Sequence, residues 1–247
     1  MGCNIRSDGV VYDRKYYNMK YTGIMVIAFL GIMVRASGQE QVRQVSGFNK
    51  VSNGGPFAVH VNINGTESLK IDGADQENLA EIETFVRNGS LEIRWKQGSA
   101  PHRFSGRIDV YVTAKSLSGL SNAGSGSLDV DGVVKGGSVE LELSGSGTIR
   151  AAIDADKLDV GISGSGMATL KGKANSTHIG IAGSGGLRAE SLATDAVDAE
   201  ISGSGNAHIE VNKTVSASIA GSGSLYYSGA AAIKSSSIAG SGRVKRA

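Results

Sequence analysis

The sequence predicts an all-β chain: a single-stranded parallel β-helix, or solenoid, with about 19–20 residues per coil. Three observations predict it. Gly-Ser-Gly occurs seven times, starting at Gly124, Gly145, Gly164, Gly183, Gly203, Gly221 and Gly240, at intervals of 21, 19, 19, 20, 18 and 19 residues. The residue two before each motif is Asn122, Leu143, Ile162, Ile181, Ile201, Ile219 or Ile238; the residue four after each motif start is Leu128, Ile149, Ala168, Leu187, Ala207, Leu225 or Val244. Upstream of the motifs, Val139-Leu141-Leu143, Leu158-Val160-Ile162 and Val197-Ala199-Ile201 alternate with polar or small residues, as strands with one buried face do. The leucine-rich repeat pattern is absent, and helical repeats are longer and poor in glycine.

Each part of the motif then has an expected task. The second glycines are Gly126, Gly147, Gly166, Gly185, Gly205, Gly223 and Gly242. With the first glycines they are structural, placed where a tight coil bends or the backbone crowds the core. The intervening serines, from Ser125 to Ser241, are expected to form a ladder of hydroxyl hydrogen bonds between coils.

The chain before residue 120 reads as short strands. Phe57, Val59, Val61 and Ile63 alternate, Leu69 and Ile71 follow a turn at Asn64-Gly65, and Leu91-Ile93-Trp95 and Ile108-Val110-Val112 alternate again. Leu79, Ile82, Phe85 and Val86 have the spacing of a short helix or turn, and Asn88-Gly89 signals a tight turn. Three regions are expected: a leader over 1–38, a β-rich part over 39–120, and the repeat over 121–247, continuous with the part before it.

The leader carries a compartment signal. Gly23 to Val34 is an apolar run of twelve between Lys20 and Arg35, followed by Ala36-Ser37-Gly38. That order is a secretory signal peptide with cleavage near Gly38, and the run is shorter than the roughly 20 residues of a spanning helix. A retained anchor is the alternative. Met19-Lys20 is a normal signal start, so residues 1–18 lie upstream of the initiator or form an extended n-region. The membrane is therefore a partner only during export, and the final location is extracytoplasmic. No lipid-anchor cysteine follows the run, and a single Cys, Cys3, excludes a disulfide framework.

Charge excludes some partners. The 25 bases and 23 acids of the whole chain become 20 and 21 once residues 1–38 are removed, a net charge of −1. Nucleic-acid binding calls for a basic face or stripe, and the sequence shows none.

Together these residues resemble the bacterial family of auto-transporter adhesin head GIN domains, a family of uncharacterised function common in Bacteroidetes. The resemblance runs from about Phe48 to Arg246. It rests on Phe48-Asn49-Lys50-Val51, the strand Phe57–Ile63, Gly89-Ser90-Leu91-Glu92-Ile93, Val110-Tyr111-Val112, Leu117, and the serial Ile-Ser-Gly-Ser-Gly and Ile-Ala-Gly-Ser-Gly units. It implies a right-handed parallel β-helix exported across the inner membrane, with adhesion as a role. Self-transport is not expected, because only seven residues follow the start of the last motif, too few for membrane β-strands.

Catalytic signatures are sparse. The position that would complete a dinucleotide fingerprint holds Asp129, Arg150, Thr169, Arg188, His208, Tyr226 or Lys245, never Gly; this mixed row suits plain solubility. Five residues before successive motifs lie Glu140, Asp159, His178 and Asp198, then Ser216 and Ser235. Stacked at about 4.8 Å per coil, these acids come near the roughly 5 Å separation of a retaining glycosidase and could ligate Ca²⁺. A solvated acidic face is the favoured reading, and no cofactor or metal is expected. His60, His102, His178 and His208 are scattered. The expected function is a non-enzymatic surface or envelope module binding a protein or glycan. A polysaccharide lyase or hydrolase using the acidic row is the alternative, and an architectural subunit assembling through coil ends is a second. Self-association is allowed for, with Arg243, Lys245 and Arg246 expected to guard the last coil against end-to-end stacking.

Export is directly testable. Mass spectrometry of the periplasmic or extracellular protein is expected to show an N-terminus at or near Gln39; Met19 retained in that species would contradict cleavage.

Overall fold

Coil repetition follows from backbone hydrogen bonding between equivalent residues. The computed structural model describes residues 40–98 and 106–247; the leader and His102 lie outside the described residues. Five long strands each wrap a whole coil: β9 (Ser127–Gly145), β10 (Thr148–Gly164), β11 (Met167–Gly183), β12 (Gly186–Gly203) and β13 (Asn206–Gly221). They pair in parallel, and the first glycines fall in one register, Gly145 with Gly164, Gly183, Gly203 and Gly221 in turn. Gly240, closing β15 (Ala232–Gly240), continues the column. The result is a parallel β-solenoid of about seven turns.

The sequence columns become core columns. Leu143, Ile162, Ile181, Ile201 and Ile219 are all buried, as are Leu128, Ile149, Ala168, Leu187, Ala207 and Leu225. Ile238 departs from its column at 43% exposure, together with Ile233 at 47%, because β15 lies on the outermost rung. Asn122 sits in the same column, fully buried. Its Nδ2 donates to the carbonyls of Gly126 and Thr148 at 2.9 and 3.1 Å. Asn53, its partner one rung back, is equally buried and donates to the Phe57 carbonyl at 3.0 Å.

Neither glycine of a motif has room for a Cβ, and the first is also held by its backbone angle, as Gly183 and Gly185 show. Gly183 has φ 120°, in the left-handed region closed to most side chains. Gly185 has no such φ; a Cβ there would lie 2.7 Å from Ile162 Cγ2 and 2.8 Å from the Gly166 carbonyl. The aliphatic two residues before one motif thus roofs over the second glycine of the next. Gly124 is the exception among the first glycines: its φ is not positive, and its Cβ would strike the Gly55 carbonyl at 2.5 Å.

The expected serine hydroxyl ladder does not form. Among the described residues no such bond joins the motif serines; the one neighbouring contact is Ser144 Oγ to Ser163 Oγ at 3.4 Å. The backbone does the joining: the N–H groups of Ser184 and Gly185 both donate to the Gly164 carbonyl, at 2.9 and 2.8 Å. The serine side chains turn to solvent, which satisfies them without a protein partner.

The stack continues across residue 120 through interleaved short strands. β3 (Ala58–Ile63) pairs with β9 and with β7 (Asp109–Ala114), while β2 (Lys50–Asn53) pairs with β8 (Gly119–Asn122) and β6 (Ser90–Trp95). Antiparallel strands then close this end: β1 (Gln41–Arg43) on β4 (Ser68–Asp72), β4 on β7, and β5 (Ile82–Arg87) on β6. Phe57 is buried, and half-buried Trp95 packs on it with ring centroids 5.1 Å apart.

The helix expected around Leu79 to Val86 is shorter than its spacing suggested. α1 spans Gln76–Glu81, capped by Asp75 accepting from the Asn78 N–H at 2.7 Å, and Ile82 already begins β5. The β-branched and aromatic run Ile82, Thr84, Phe85, Val86 prefers a strand. The Asn88-Gly89 turn, with φ 50° and 77°, returns it as a hairpin. Arg43 ties the cap together: its guanidinium donates to the carbonyls of Ile82 and Leu79 at 2.7 and 2.8 Å, and burial pulls its pKa below the ordinary value.

Two stability outcomes follow. Ile201→Asp buries a charge in the central column and is expected to lower stability by at least about 3 kcal/mol in urea melts, whereas outward Glu200→Ala stays within about 0.5 kcal/mol. Gly185→Ala forces the Ile162 contact apart and is expected to lose about 1–3 kcal/mol. Unchanged melts for Ile201→Asp would reverse the inside and outside of the coil.

Candidate functional site

One side of the solenoid is built from the segment leading into each motif. Alternation puts every second residue of 138–144, 157–163, 176–182 and 196–202 outside. The expected acidic row forms: Glu140, Asp159, His178, Asp198, Ser216 and Ser235 are adjacent in register on successive coils. His178 separates Asp159 from Asp198, so Glu140 and Asp159 are the acids of this row on neighbouring coils. Both have lysine partners. Lys50 Nζ lies 2.7 Å from Glu140 Oε2, and Lys157 Nζ 3.6 Å from Asp159 Oδ2. These exposed pairs add little stability, but they partly neutralise the acids that the glycosidase alternative would use. Among the described residues, no group of three or more His, Cys, Asp or Glu could hold a metal ion.

Sequence reasoning missed the row beside this one. Three residues before the motifs stand Glu142, Gly161, Gly180 and Glu200, in register on four successive coils. The two glycines project nothing, so they floor a groove of about 700 Å³ with Glu142 and Glu200 among its lining residues and Ser144, Ser163 and Ser202 along one side. The same offset counting that found the acidic row would have exposed it. A smaller depression of about 460 Å³ lies over Lys157, His178, Asp198 and Lys234. The hydroxyls and carboxylates of this side offer hydrogen bonds to a polar partner. Among the described residues, no serine hydroxyl is bonded to a histidine to make a nucleophile.

Comparison with known proteins agrees with the geometry. Residues 47–231 match the family model described as "Putative auto-transporter adhesin, head GIN domain". Among solved structures, a "putative adhesin" from Bacteroides fragilis is 24% identical with a TM-score of 0.77, covering 84% of this chain and 96% of its own. A "putative adhesin" from Parabacteroides merdae is 21% identical with a TM-score of 0.68, covering 86% and 97%. A "putative lipid binding protein" from Parabacteroides distasonis is 20% identical with a TM-score of 0.67, covering 86% and 98%. At these identities the likeness establishes the fold. Among curated proteins there is no significant match. A family match spanning most of the chain, from the strands of the antiparallel cap to the sixth Gly-Ser-Gly coil, establishes that this chain belongs to the auto-transporter adhesin head GIN domain family.

Proposed function

We propose that the chain is exported and acts outside the cytoplasm as a non-enzymatic β-helical binding module, in adhesion at the cell surface or within the envelope. One observation carries this reading. The solenoid presents polar side chains in straight, registered rows beside an open groove floored by Gly161 and Gly180. Rows fixed by a backbone ladder are preorganised, so a partner bears little of the ordering cost. Membership of an adhesin head-domain family supports an extracellular or surface location, and among the described residues no helix is long and apolar enough to cross a membrane.

The enzymatic alternative has one supporting observation, the adjacency of Glu140 and Asp159. A glycan and cell-surface binding screen of residues 39–247, run beside a lyase and hydrolase assay, separates the two readings. Asp159→Ala combined with Asp198→Ala is expected to leave binding and stability unchanged and to reveal no activity to lose. Loss of a measured turnover in the double variant, at unchanged melting temperature, would establish the enzyme instead.

A further inference from the structure

A second outward row runs the whole length of the sheet on another side. In register it reads Lys70, Tyr111, His60, Asp129, Arg150, Thr169, Arg188, His208, Tyr226, Lys245. From sequence its repeat portion suited plain solubility; its first three members were hidden because β4, β7 and β3 join the row out of chain order. The row holds four bases and two histidines against one acid, Asp129, which Arg150 engages at 3.0 Å; beside it, Glu40 engages Lys70 and Asp109 engages His60, both at 2.8 Å. Arg188 has no ion pair among the described residues.

The aromatic members are not isolated. His60 stacks on Tyr111 with centroids 5.1 Å apart and planes 22° from parallel, and His208 on Tyr226 at 4.7 Å and 17°. Those spacings match the strand repeat of about 4.8 Å, so the rings face one another along the solenoid axis. The imidazoles also have acidic neighbours: His60 Nε2 lies 2.8 Å from Asp109 Oδ1. Lys70 Nζ sits over the Tyr111 ring at 4.9 Å.

We propose that this row is a binding strip for a linear, carboxylate-bearing polysaccharide lying along the solenoid axis. The proposal rests on the reading of the chain as a surface-binding module and names the ligand class. Arg150 and Arg188 are two rungs apart, about 10 Å, with the Thr169 hydroxyl between them. An extended glycan with one uronic acid per disaccharide offers carboxylates at a comparable interval, and guanidinium forks suit carboxylates. The Tyr226 hydroxyl adds a donor for sugar hydroxyls. Repetition along one straight row lets successive sugars bind together, which raises avidity without any single strong contact.

Nucleic acid fits less well. Duplex DNA carries a charge every 1.7 Å or so, far denser than these cations, and Asp129 and Glu190 stand among them; Glu190 Oε1 is 3.8 Å from His208 Nδ1. Single strands bind by stacking bases on open ring faces, whereas His208 and Tyr226 cover one another.

The test uses the full chain in the form the cell accumulates, with hyaluronan oligosaccharides, neutral dextran and single-stranded DNA as probes. Hyaluronan is expected to bind, more weakly as salt rises, with dextran and DNA well behind. Arg150→Ser combined with Arg188→Ser is expected to weaken binding by about tenfold or more. Tyr226→Leu should weaken it by a smaller factor, and Lys171→Ser with Lys213→Ser, exposed bases that lie off the row, should not. Melting temperatures, expected to be unchanged in the exposed arginine and lysine variants, separate lost contacts from lost folding. Absence of hyaluronan binding, equal binding of DNA, or full affinity in the double arginine variant would overturn the proposal. Binding to other glycans or to cells without hyaluronan binding would overturn this ligand class alone and leave the surface-binding reading standing. Failure in every binding assay would sink both.

Discussion

The architecture depends on one repeated contact: a glycine carbonyl in one coil accepting N–H groups from the Ser-Gly that follows it in the next. At Gly164 both donors lie within 3 Å, and the pattern recurs where Ser204 and Gly205 meet Gly183, and Ser222 and Gly223 meet Gly203. Such forked acceptance draws the backbones of adjacent coils together at the corner. No Cβ fits between them, so the motif is glycine on both sides of the serine. Everything outward of the corner inherits its spacing. The acidic row, the groove side and the cationic-aromatic row are straight because the corners beneath them stack without drift.

A corner that propagates so regularly must also be brought to a stop. The chain does this by changing strand direction. β1, β4 and β5 run antiparallel to their neighbours, and α1 with Arg43 covers their junction. The edge strand β1 is only three residues long and ends on Arg43, and a short, charged edge discourages a further rung. The large aromatics concentrate here. Phe57 is fully buried there, and half-buried Trp95 packs against it.

Much of this was legible in the sequence, because a solenoid writes its geometry as a fixed offset. The burial of Ile162 and Ile201, the equivalence of the first glycines, and the alignment of Glu140, Asp159, His178 and Asp198 all follow from counting positions relative to Gly-Ser-Gly. What escaped is non-local or depends on side-chain rotation. The run from Ile82 to Val86 carries helical spacing by coincidence and becomes a strand because it pairs with β6. The serine hydroxyls had no reason to prefer one another over water. The groove floor was missed because attention fell on charged offsets, while Gly161 and Gly180 matter for the side chains they lack. Lys70, Tyr111 and His60 joined their row only through the order of strands in space.

The two buried asparagines bear on how the chain finds its phase during folding. A solenoid whose coils are nearly interchangeable has a degenerate ladder of alignments: slipping by one whole coil would preserve glycine against glycine and isoleucine against isoleucine. Asn53 and Asn122 break that degeneracy. Each donates to the carbonyl four residues on, Asn53 to Phe57 and Asn122 to Gly126, and in the native alignment the two amides stand in register with each other. A slipped stack would part the two and set each polar amide against a column of aliphatics, a burial that costs free energy. The polar pair thus acts as a keyway at the start of the stack, fixing which coil is first and, through it, where every outward row begins.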